Sequence, residues 1–133
     1  EYPVLLDHAP PRLKAYPRET VVAEKFQAMV MLGMANSRMK DYYDLWVLSH
    51  SFDFDRSRLA GAISATFARR KTAIPEEIPD ALTPAFAELT VKQQQWESFK
   101  RNVSIDPGPL RDVVSTLEAF LMPAAAAARK AAG

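Results

Sequence analysis

The sequence predicts an all-α protein, a single helical domain of about five helices with room for one short N-terminal strand. Three observations carry that prediction. Apolar residues recur at three- and four-residue steps in successive windows from Val22 to Leu121, the spacing that gathers side chains on one helix face. The windows are separated by Asn36-Ser37, Pro75 to Pro79 and Asp106-Pro107-Gly108-Pro109, residues that stop and start helices. A chain of 133 residues, 48% of them hydrophobic, suffices for one compact core and leaves no material for a second.

Residues 1–17 hold four prolines, so they read as an extended arm, with Val4, Leu5 and Leu6 as the short strand. An orphaned strand there would present a free edge and invite self-association through the arm. Residues 18–48 read as a helical hairpin. Val22, Phe26, Met29, Val30 and Gly33 mark a first helix from Arg18 to Leu32, with Glu19 and Glu24 towards its positive end and Gly33 suited to a left-handed closing position. Asn36 and Ser37 are expected to cap a second helix that begins near Arg38 or Met39.

Residues 49–133 supply supporting helices. Ser49 to Phe54 reads as a link, and Asp55 as the cap of a third helix to about Arg70, striped by Leu59, Ala62, Ile63, Thr66 and Phe67. The Arg69-Arg70-Lys71 run complements that helix's dipole. Beyond the proline loop, Asp80 to Leu89 permits a short helix that Pro84 either limits or begins. Lys92 to Asn102 gives another, with Trp96, Phe99 and Val103 inward; Trp96 reads as core before it reads as a base-stacking platform. The last helix opens near Leu110 on Val113, Val114, Leu117, Phe120 and Leu121. Pro123 is expected to interrupt or end it, and the alanine-rich tail to fray.

Charge is concentrated in the hairpin. Lys25 has Val21, Ala28, Met29 and Leu32 as helical neighbours, an apolar seat for an ammonium group. On the second helix Lys40, Asp41 and Asp44 share the side opposite Met39, Tyr42, Tyr43 and Trp46. Turned to face one another, the two helices would bring one cation and two anions into a partly dry place. The same spacing also fits a plain surface pair, Lys40 with Asp44, and a Lys25 that reaches out to water.

The string E-K-F-Q-A at Glu24 to Ala28, followed by N-S-R-M-K-D-Y-Y-D-L at Asn36 to Leu45, resembles the signature of the AbiEii/AbiGii toxin family of polymerase-β-like nucleotidyltransferases. L-K-A-Y-P-R-E-T from Leu13 to Thr20 is similar to the lead-in. The resemblance implies a bacterial, cytoplasmic toxin of a toxin–antitoxin or phage-defence system that moves a nucleotidyl group from a nucleoside triphosphate, with Mg2+, onto RNA, tRNA in better understood relatives. A cognate antitoxin is implied as a partner. It also implies that Lys25 holds triphosphate oxygens and that Asp41 or Asp44 serves the attacking hydroxyl. Lys40 and Arg38, from the R-x-K-D-x-x-D motif, would bind substrate.

One departure matters. The family's metal-binding Gly-Ser turn and Asp-x-Asp strand are not matched: the sequence has no Gly-Ser dipeptide, and Asp53-Phe54-Asp55 follows the hairpin, with Asp55 better used as a cap. No metal site is therefore expected in this chain, and Mg2+ and nucleotide belong to the intact enzyme. The chain reads as the C-terminal helical part of a longer toxin, or the product of a split or decayed gene, inactive without the other half. The alternative is a stand-alone helical interaction module. Seventeen basic against sixteen acidic residues, a net charge of +1, argue against strong nonspecific nucleic-acid binding by the chain as a whole. Cysteine is absent, which excludes disulfides and thiolate catalysis, and no apolar run has membrane-spanning length.

Overall fold

The computed structural model describes residues 17–132. Among them are six α-helices and two short 3-10 turns, with no strand: α1 (Arg18–Leu32), α2 (Met39–Ser51), α3 (Arg56–Arg69), α4 (Pro84–Glu88), α5 (Thr90–Lys100) and α6 (Leu110–Ala132). The protein is all-α. The expected strand at Val4 to Leu6, and the arm through which self-association was expected, lie outside the described residues.

α1 has the expected bounds and buries Val22, Phe26 and Met29 against α3. It ends at Gly33, whose φ of 56° and ψ of −139° suit glycine and strain any residue with a Cβ. A 3-10 turn, Gly33–Ala35, then swings the chain towards α2. Asn36 stands two residues before the cap position, Arg38. Its Oδ1 accepts the Arg38 amide at 2.8 Å, and no side chain caps α2. α2 also runs past the expected link, since Ser49, His50 and Ser51 are helical; Ser49 Oγ bonds back to the Trp46 carbonyl at 2.9 Å.

Asp55 caps α3, its carboxylate accepting the Arg58 amide at 3.1 Å. Both readings of Pro84 hold. A 3-10 turn, Asp80–Leu82, precedes it, and α4 begins on it with Thr83 accepting the Phe86 amide at 3.3 Å. α5 buries Trp96, whose indole N–H donates to the Gly108 carbonyl at 2.9 Å; Lys100 donates to the same carbonyl at 3.1 Å, so two helical side chains hold the turn before α6.

α6 departs most from expectation. It is 23 residues long and continues through Pro123 to Ala132. Pro123 lies on the exposed side, where the amide proton it lacks is missed least, because water can reach the freed carbonyl. The alanine tail does not fray: Ala124, Ala125 and Ala128 are buried, in a helix packed on α3. A side chain of one methyl lets two helix backbones approach, so the tail is covered by proximity instead of by bulk. α6 also touches α2 and α4, and its buried Val113, Val114, Leu117 and Leu121 tie these elements into one core. Burying a side chain the size of leucine contributes about 1.5–3 kcal/mol.

Candidate functional site

α1 and α2 lie side by side and bring the charged residues of the hairpin together. Lys25 is 9% exposed, Asp41 4% and Asp44 1%. Lys25 Nζ donates to Asp41 Oδ1 at 3.0 Å and stands 3.1 Å from Asp44 Oδ2. Lys40 Nζ donates to that same Asp44 oxygen at 2.7 Å, and Arg38 Nε stands 3.0 Å from Asp41 Oδ2. Arg38 makes an ion pair without hydrogen-bond alignment, which leaves Asp41 Oδ2 with no hydrogen-bond donor among the described residues. All five residues singled out in the sequence therefore fall in one cluster. The plain alternatives do not describe it: Lys25 does not reach out to water, and Lys40 meets a carboxylate that is itself buried.

The charge balance is uneven. Three cations face two carboxylates, and Arg38 and Lys40 remain more than half exposed while both carboxylates are dry. Taking charges out of water costs several kcal/mol per ion and is repaid only when the ions are paired. Here they are paired, with positive charge left over at the rim.

Tyr42 backs the cluster. Its hydroxyl donates to the Ala81 carbonyl at 2.7 Å and its ring stacks on Phe86 at 5.7 Å. The phenol is pushed up, first by burial and then by the negative charge of Asp41, against the pull of the neighbouring Asn36 side chain. Tyr43 is also pushed up, chiefly by burial, with Asp44 adding to it and a backbone bond from Ile105 opposing.

Sequence reasoning missed Lys92. It is 6% exposed, it donates from Nζ to the Asn36 carbonyl at 2.8 Å, and Nζ lies 5.2 Å from the Phe86 ring centre. The signal was present: Lys92, Trp96 and Phe99 follow helical spacing, which seats a lysine on the apolar stripe. Lys92 holds the Asn36 carbonyl, Asn36 accepts the Arg38 amide, and Arg38 pairs with Asp41. The site is thus fixed from α5 as well as from the hairpin. Between the start of α2 and α5 lies a groove of about 710 Å3, with Arg38, Lys40 and Asp41 on one wall and Gln94, Gln95 and Ser98 on the other.

The basic run at the end of α3 is used internally. Arg69 and Arg70 approach Glu24 at 3.6 and 4.0 Å, and Arg70 donates to Gln27 at 3.3 Å. Asp55 is occupied as a cap. Among the described residues no three histidine, cysteine or acidic side chains are grouped to hold a metal ion. Asp41 and Asp44 do not fit one either, because a divalent ion would have to displace the cations that already neutralise them.

Fold and site together define a helical domain that carries a dry, net-positive ion cluster beside an open groove. The chain matches the nucleotidyl transferase AbiEii toxin family, of type IV toxin–antitoxin systems, over residues 1–124, and it belongs to that family. No curated protein and no solved structure matched the chain. No helix among the described residues is long and apolar enough to cross a membrane.

Proposed function

We propose that this chain supplies the Lys25–Asp41–Asp44 cluster to an enzyme that transfers a nucleotidyl group from a nucleoside triphosphate to RNA, with tRNA as the acceptor the family resemblance suggests. The observation that carries the proposal is a lysine buried between two carboxylates, with surplus positive charge at the rim. A hydrophobic pair of similar volume would hold two helices together as well or better. Charge kept in such a seat suits a polyanionic substrate.

Lys25, with Lys40 and Arg38 at the rim, holds phosphate oxygens as they gain charge. The acceptor hydroxyl oxygen bonds to the α-phosphorus, its proton passes to Asp41, and pyrophosphate leaves with the electrons of the broken P–O bond. Asp41 Oδ2 suits the base role because it accepts no hydrogen bond, and movement of the half-exposed Arg38 towards a phosphate would uncover it. Asp44 pairs with Lys25 and Lys40 and holds them in place. Mg2+ has no seat in this cluster, so this reading assigns it to a Gly-Ser and Asp-x-Asp half that the sequence does not contain.

The test is transfer of label from an α-labelled triphosphate to RNA by the gene product that carries this chain. Asp41→Asn keeps the shape and removes the base; transfer should fall by about 100- to 10,000-fold, well beyond any loss of folded protein, because Asp44 still pairs with Lys25. Full transfer by a folded Asp41→Asn protein would remove Asp41 from the mechanism and favour a helical interaction module.

A further inference from the structure

The groove beside the cluster has a second wall that the proposed reaction does not use. We infer that this groove seats one unpaired nucleotide, with Gln94, Gln95 and Ser98 of α5 reading the base while Arg38 and Lys40 take its phosphate. The inference rests on the transfer reading above and adds a base-selecting surface to it.

Four observations support it. The groove, about 710 Å3, lies within the size range of small-ligand sites, about 300–1,000 Å3. Its α5 wall places two amides and a hydroxyl side by side, groups that both donate and accept, as the edge of a base requires. Gln95 lines the groove while its Oε1 has no hydrogen-bond donor among the described residues; buried acceptors are seldom left unmet, and rotation of the amide towards the groove would offer this one to a donor on a bound base. Behind the wall, Lys92 is buried with a carbonyl and a ring as its contacts and no carboxylate among the described residues. Its positive charge in a poorly screened place adds to the pull of Arg38 and Lys40 on a phosphate.

Phe99 supplies the flat surface. It lines the groove, and stacking on Trp96 at 5.8 Å holds its ring in place. A base laid against it would bring its edge to the amides one turn away. Two sources share this chemistry, the incoming triphosphate and an unpaired residue of the RNA acceptor.

The experiment is a titration of the isotope-labelled full chain, followed by amide chemical shifts, with each of the four ribonucleoside triphosphates and, separately, with single-stranded hexanucleotides of one base. Shift changes gathered on Arg38, Lys40, Gln94, Gln95 and Ser98, with one base preferred, are expected. Binding of the triphosphates alone makes the groove the donor seat, and binding of the oligonucleotides alone makes it the acceptor seat. Gln95→Leu should weaken binding by about tenfold, the loss of one well-placed hydrogen bond to a buried group, and should leave the thermal midpoint equal or higher because an unmet acceptor has gone. Ser98→Trp should block the groove outright. Absence of binding, shifts confined to other surfaces, or equal affinity in both variants would overturn the inference. Groove binding without transfer activity would instead count against the reaction alone, and transfer unaffected by the α5 variants would count against the groove alone.

Discussion

The seam between α1 and α2 and the seam between α3 and α6 are made of opposite materials. The first keeps Lys25, Asp41 and Asp44 dry, with Arg38 and Lys40 at its edge. The second joins two helices whose buried side chains, Ala60 and Ile63 on one and Ala124, Ala125 and Ala128 on the other among them, include no charged residue. Both join two helices within one core, so helix packing alone does not call for the ions of the first. A seam that only had to hold would be built like the second, because apolar burial has no desolvation cost to offset. The difference separates a part kept for its chemistry from a part kept for its packing.

The largest expected effect comes from breaking the charged seam on one side. Lys25→Ala leaves two buried carboxylates with only half-exposed partners, and should cost about 4 kcal/mol in chemical denaturation while abolishing transfer. Replacing the set together, Lys25→Met with Asp41→Leu and Asp44→Leu, sharpens the contrast. The triple variant should be as stable as the parent, or more stable by about 1–4 kcal/mol, and inactive. A triple variant less stable than Lys25→Ala would mean that the ions hold the fold together after all.

Next in size is Leu117→Ala in α6, a fully buried residue. Its expected cost is about 3 kcal/mol, from lost burial and the cavity left behind. Well below its melting temperature, the variant should bind and react as the parent does. A changed affinity for nucleotide would show that the two parts are coupled.

The smallest effect is at the border between the two. Tyr42→Phe removes the hydrogen bond to Ala81 and should cost about 1 kcal/mol at neutral pH. The folded phenol is pushed above its unfolded value, so it contributes fully below about pH 10 and progressively less as the pH rises beyond that. Parent stability should therefore fall more steeply than that of Tyr42→Phe in alkaline denaturation. Parallel curves would place the alkaline loss elsewhere.

The bounds of α1, the cap at Asp55 and the start of α4 were legible because each depends on residues within one turn. Lys25, Asp41 and Asp44 were also legible as candidates, since a lysine among apolar neighbours and acids at i, i+3 are local patterns. Three features were not. Proline opposes a helix from within, so Pro123 by itself points to an interruption or an end, whereas its place on the exposed side lets α6 continue. Alanine has little to bury alone, so the tail by itself points to fraying; its burial comes from the nearness of α3. Lys92 looks like an ordinary helix residue in the sequence because its partners, the Asn36 carbonyl and the Phe86 ring, are distant or unremarkable there.

The sequence by itself determined the all-α class, most of the helix ends and which charged residues stand on which helix, since periodicity, caps and turns act over a few residues. Only the tertiary structure decided that the three buried ions meet, that Arg38 and Lys40 cover them from the rim, and that α5 closes a groove beside them. Pairing charges in a dry place needs distances near 3 Å between side chains 16 residues apart in sequence, and distances of that kind are set by how helices pack.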